Sequence, residues 1–105
     1  MSQYTLYENP NADAEHAYPY FMDVQNSLLS ALDSRVVIPM TLQENIADAI
    51  IADLCPPLVF DGKTYRLLTY QMTTVPVSAL QYPIDSLDHM HEEIQAALAF
   101  LVANA

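Results

Sequence analysis

Leu58-Val59-Phe60-Asp61-Gly62-Lys63-Thr64-Tyr65-Arg66-Leu67-Leu68-Thr69-Tyr70 is the stretch on which the fold is decided. Two β-rich arms flank Asp61-Gly62, the pair favoured in a type I′ hairpin because both turn residues need positive φ. The hairpin argues for a sheet, and the flanking segments agree. Tyr4-Thr5-Leu6-Tyr7 alternates as a strand does, and residues 8–16, with Pro10, Asn11 and Asp13, read as a loop. Residues 18–25 resume an extended apolar pattern. The stretch 26–34 is a polar link carrying Leu28, Leu29 and Leu32, and residues 36–40 are a short β-branched run. Residues 72–80 give a further strand that Pro76 places at an edge or a bulge.

Two helices are expected. Thr41-Leu42-Gln43-Glu44 has the spacing of a capping box. Leu42, Ile46, Ile50 and Leu54 then recur at four-residue intervals until Pro56-Pro57 stops them. Over residues 85–104 the period is helical again. Leu87, Met90, Ile94, Leu98, Leu101 and Val102 form the stripe, with Asp85, Ser86 or Asp88 available as a cap. The last two turns, with Phe100 beside Ala96, Ala99 and Ala103, are apolar almost all round. That suits a helix packed on both sides, against its own sheet and against a second chain.

Composition narrows the function. The 105 residues are 52% hydrophobic and 15% charged, the balance of a folded chain, and one domain over residues 1–105 is expected. Arg35, Lys63 and Arg66 face 13 acidic residues, a net charge of −10. Unaided binding to nucleic acid or to anionic membranes is therefore disfavoured, and a basic protein surface suits the chain better. A single glycine, Gly62, leaves no material for phosphate-cradling loops, dinucleotide fingerprints or nucleophile elbows. A single cysteine, Cys55, allows no internal disulfide and fits a reducing compartment. No positive n-region precedes an apolar h-region at the start, and the longest apolar run, residues 96–103, is too short to span a bilayer. A cytoplasmic location is expected.

Chemistry has little to stand on. In His89-Met90-His91-Glu92-Glu93, residues two apart on a helix point about 200° away from each other, so the two histidines cannot share a metal. Gln95 stands where a zinc-protease pattern needs its second histidine. Cys55 has no basic neighbour in sequence and reads as a buried structural thiol. Ser78 or Ser86 with His89 carries no triad spacing. Neither an enzyme nor a cofactor is expected.

Phe21-Met22-Asp23-Val24-Gln25, Arg35-Val36-Val37-Ile38-Pro39-Met40 and Met72-Thr73-Thr74-Val75-Pro76-Val77, in that order and at those intervals, resemble the CcdB toxin family. Tyr18-Pro19 and the terminal helix fit as well, and the resemblance runs from Tyr4 to the C-terminus. It implies a mainly β fold: a twisted antiparallel sheet related to SH3-like barrels, a small side sheet, one C-terminal helix, and a homodimer formed through sheet and helix. It also implies the toxin of a toxin–antitoxin module of the kind used in plasmid maintenance. Such a toxin wedges its paired C-terminal tails between the A subunits of DNA gyrase and traps the cleaved DNA complex. A CcdA-like antitoxin neutralises it through a tail that folds on binding, and the complex represses its own operon. The toxin makes no bond itself.

Carried over position by position, the gyrase-facing residues are Leu28 and Leu29, Ala99 in the last turns of the helix, and the terminal Ala103, Asn104 and Ala105. The antitoxin-facing segments supply Glu8, Pro10 and Asn11, then Thr41, Leu42 and Glu44. The tail departs from the family pattern, which ends in Gly-Ile and often begins the tripeptide with Trp; Ala99 also lacks a polar side chain. Two readings follow from the resemblance: a gyrase poison, or a homodimer of the same fold that binds antitoxin and has lost poisoning with its tail.

Overall fold

The computed structural model of the chain describes residues 3–10, 17–29, 31–46 and 53–103. Among them, seven strands build one curled antiparallel sheet: β1 (Thr5–Glu8), β2 (Tyr20–Asp23), β3 (Ser34–Leu42), β4 (Pro57–Phe60), β5 (Lys63–Leu67), β6 (Thr73–Pro76) and β7 (Pro83–Ser86). One α-helix, α1 (His91–Ala103), follows. The strand order is β4-β5-β3-β2-β1-β7, and β6 pairs separately with β3.

The hairpin forms where Asp61-Gly62 predicts it. Phe60 faces Lys63, and both turn residues take positive φ, 53° and 75°. β3 is the spine. One edge pairs with β2; the other pairs with β6 along residues 34–37 and with β5 along residues 40–42. Pro39, which has no N–H to donate, lies where β3 exchanges one partner for the other. The hairpin thus joins the sheet at the far end of β3. Pro76 closes β6, an edge strand, as its chemistry requires.

Side chains alternate between two faces. Leu6, Met22, Ile38, Met40 and Leu67 form the main core, closed by Leu87, Met90 and Ile94 from α1 and its lead-in. The opposite face holds a smaller cluster of Tyr7, Val37 and Leu80, flanked by Phe21 and Val75.

Two helical expectations are corrected. Thr41 and Leu42 do not open a helix: they stay in β3, paired with Arg66 and Tyr65, and Gln43–Asn45 is one 3₁₀ turn with no side-chain cap. The β5 ladder and the packing of Leu42 on the core outweigh a local capping preference. Residues 47–52 of that expected helix lie outside the described residues. At the C-terminal end, Asp85 and Ser86 extend the sheet as part of β7, facing Leu6 and Thr5. The Leu87 N–H donates to the Tyr4 carbonyl at 2.8 Å. Asp88–Met90 is a 3₁₀ lead-in without a side-chain cap, and the α-helix starts at His91. Ala97 is buried whereas Val102 is 64% exposed, so the buried stripe runs through the small residue.

Burial pushes the Cys55 thiol above its ordinary 9.0 and the Tyr65 and Tyr7 phenols above 10.0, the last two helped by Tyr20 and Asp23 respectively. For all three the folded chain holds the proton more tightly than the unfolded chain does. Their contribution is therefore complete below the unfolded pKa and fades as pH rises through the folded one. A urea midpoint measured against pH is expected to fall progressively above about pH 9. Cys55→Ala removes the first part of that alkaline fall; a midpoint flat to pH 11 contradicts the burial of these groups.

Candidate functional site

β2 ends at Asp23, and the chain leaves the sheet there through a buried electrostatic knot. Arg35 Nε donates to Asp23 Oδ2 at 2.9 Å and Arg35 Nη2 to Asp23 Oδ1 at 3.1 Å, with both side chains out of solvent. A bidentate guanidinium–carboxylate pair in this setting is tolerated when its remaining donors and acceptors are used. Asp23 Oδ1 also accepts the Gln25 N–H at 3.0 Å, and Arg35 Nη2 also donates to the Gln25 carbonyl at 3.2 Å. Arg35 Nη1 has no partner.

The next residues shape a 3₁₀ turn, Ser27–Leu29. Asn26 Oδ1 accepts the Leu28 N–H and the Asn26 carbonyl accepts the Leu29 N–H, each at 2.9 Å. On that turn Leu28 is 89% exposed, and Leu29 and Leu32 are about half exposed. Three exposed or half-exposed leucines within five positions make this turn a candidate interaction surface.

The helical part of the expected gyrase surface lies elsewhere on the chain. Ala99 is exposed and Ala103 ends α1, while Asn104 and Ala105 lie outside the described residues. α1 packs on the Thr69–Gln71 turn. Tyr70 and Met72, in and just after that turn, and Phe100 and Val102 of the helix are exposed.

The expected antitoxin residues gather at the opposite end of the sheet. Glu8 faces Tyr20, and Tyr20 faces Met40, so the register sets Glu8 level with the start of Thr41-Leu42, with β2 between them. Glu8, Pro10 and Glu44 are exposed; Thr41 is buried and Leu42 is packed against the core. Asn11 lies outside the described residues.

Arg35 is the residue the sequence reading missed. Counted as surface charge, it is in fact wholly internal. Arg66 is also engaged, donating to Gln43 Oε1 at 3.0 Å and to the Cys55 carbonyl at 2.8 Å. Because Asp23 is buried with Arg35, the two charges cancel and the charge outside the pair stays at −10. His89 and His91 are exposed, with the His91 ring 5.9 Å from that of Tyr4. Among the described residues no group of three His, Cys, Asp or Glu side chains is placed to hold a metal. Cys55 is buried. Compared with known protein families, residues 3–103 match the family described as CcdB protein.

Proposed function

The chain belongs to the CcdB family, toxins of toxin–antitoxin modules that poison DNA gyrase, and from that premise we propose that it acts as a homodimer on the gyrase A subunit. Leu28, 89% exposed on a turn that follows the buried Asp23–Arg35 pair, carries this reading. It follows Asp23-Val24-Gln25-Asn26 at the position where the family places an apolar target contact, and Leu29 stands beside it. The exposed junction of Tyr70, Met72, Phe100 and Val102 supports a homodimer: a two-fold there covers apolar side chains and doubles every target contact.

Neutralisation falls to a CcdA-like antitoxin at the other end of the sheet, through Glu8, Pro10 and Glu44. With 13 acidic residues in each chain, contact with operator DNA in a repressing complex comes from the antitoxin. Gyrase works in the cytoplasm, so this reading places the protein there. A second reading is favoured by one feature: Ala103, Asn104 and Ala105, at the positions matched to the family's target-contacting tripeptide, offer no aromatic or branched side chain, and a dimer that binds antitoxin without poisoning is the alternative.

Calorimetric titration into the dimerisation fragment of the gyrase A subunit decides between them. Binding on the order of micromolar or tighter supports the gyrase reading, and its survival in a chain lacking residues 103–105 shows that the leucine turn suffices. Absence of heat at tens of micromolar, from folded dimeric protein, supports the second reading; in whole cells that reading predicts normal growth without antitoxin.

A further inference from the structure

Gln25 is 7% exposed, yet its side-chain amide belongs to neither core cluster. Its Oε1 accepts the Val36 N–H of β3 at 3.1 Å, and its Nε2 donates to the Leu29 carbonyl at 3.1 Å. One amide therefore joins the spine of the sheet to the far end of the leucine turn. The near end is held through Gln25's own backbone, whose N–H and carbonyl are taken by Asp23 and Arg35. The Asn26 bonds are different in kind: they close the turn on itself and do not attach it to the sheet. The Leu32 N–H donates to the same Leu29 carbonyl at 3.1 Å, so the Gln25 anchor also sets where the chain continues toward β3.

We propose that Gln25 is the positioning residue of the gyrase-binding turn, holding Leu28 and Leu29 in the geometry in which they meet the target. The proposal rests on the gyrase reading above. Its physical basis is preorganisation. A loose turn must be ordered when the partner arrives, and that cost is subtracted from the affinity; a turn bonded to the sheet at both ends has already been ordered by folding. Gln25 touches no target itself and acts through the Leu29 carbonyl. A glutamine is required because one end must accept and the other donate.

The test compares Gln25→Met, which keeps length and removes both bonds, with Gln25→Glu, which keeps the acceptor for Val36 and removes the donor to Leu29. Amide hydrogen exchange on the free dimer is the first readout. In both variants the Leu28, Leu29 and Leu32 amides are expected to exchange at least about tenfold faster while amides of β1, β2 and α1 keep their rates. In Gln25→Glu the Val36 amide stays protected, and in Gln25→Met it does not. Affinity for the gyrase A fragment is the second readout and is expected to weaken about tenfold or more in both variants, mainly through faster dissociation.

Unchanged exchange in the turn overturns the proposal. So does faster exchange throughout the sheet, which reports a general loss of stability, and so does a loosened turn that binds the fragment as tightly as before. Wild-type protein that ignores the fragment overturns the gyrase reading and the target role of Gln25 together. The exchange rates, which need no partner, distinguish that outcome from failure of the anchor itself.

Discussion

Arg35→Met is expected to destabilise the protein by about 3–5 kcal/mol, a large share of the roughly 5–15 kcal/mol typical of a domain. The substitution keeps the volume of an unbranched side chain but leaves the Asp23 carboxylate buried, with the Gln25 N–H as its one remaining partner of the two recorded. An uncompensated charge in an apolar interior is the costliest single defect available here, since Tyr7, Val37 and Leu80 on the same face can supply no counter-charge. Urea unfolding is the measurement, with the slope unchanged and the midpoint displaced.

The double replacement Asp23→Leu with Arg35→Met sharpens the argument. Exchanging a whole buried ion pair for apolar side chains is often neutral or stabilising. Here the pair also serves the Gln25 N–H and carbonyl, both of which lose partners in the double variant. Each buried backbone group left unpaired costs about 1–3 kcal/mol. The double variant is therefore expected to recover part of the loss and to stay about 2 kcal/mol below the parent. Full recovery means that the pair is incidental to the Gln25 backbone. A loss under about 1 kcal/mol in Arg35→Met means that the pair is solvated.

What the sequence disclosed divides along range of interaction. Asp61-Gly62 was legible because positive φ is a property of those two residues and their turn, and nothing distant competes with it. The end of β3 was not. Thr41-Leu42-Gln43-Glu44 has correct capping-box chemistry, but Thr41 finds Arg66 across the sheet, and a capping pattern four residues wide cannot report a ladder to the next strand but one. The start of the terminal helix misled for a related reason: Asp85 and Ser86 look like caps until β1 is available to pair with them. Arg35 was illegible in the same sense. Arginine is a surface residue by default, and its burial follows from a carboxylate twelve positions away. The leucines proposed to face the target were assigned through family resemblance; their spacing alone said nothing. Gln25 needed the folded distances, because its two partners stand on separate pieces of chain.

Leu28→Ala is expected to leave folding unchanged to within about 0.5 kcal/mol and to weaken gyrase A binding by roughly two to four orders of magnitude. A side chain 89% exposed in the free protein contributes almost nothing to the core, so the thermal midpoint stays where it is. On binding, burial of one leucine contributes about 1.5–3 kcal/mol. A two-fold dimer buries two, about 3–6 kcal/mol in all, and each 1.4 kcal/mol is about tenfold in affinity. Removal of residues 103–105 is expected to cost about 3 kcal/mol at most in the dimer, the low end of the leucine range, because it takes away two alanine methyls per chain at about 0.8 kcal/mol each. That order of effects inverts the family expectation of a tail-driven wedge, and it follows from leucine standing at positions 28 and 29 while positions 103–105 carry no large apolar side chain. Titration of both variants against the gyrase A fragment, with circular dichroism to confirm the fold, measures it. A tail deletion more damaging than Leu28→Ala returns the wedge to the C-terminus, and a Leu28→Ala protein that binds unchanged removes the leucine turn from the target surface.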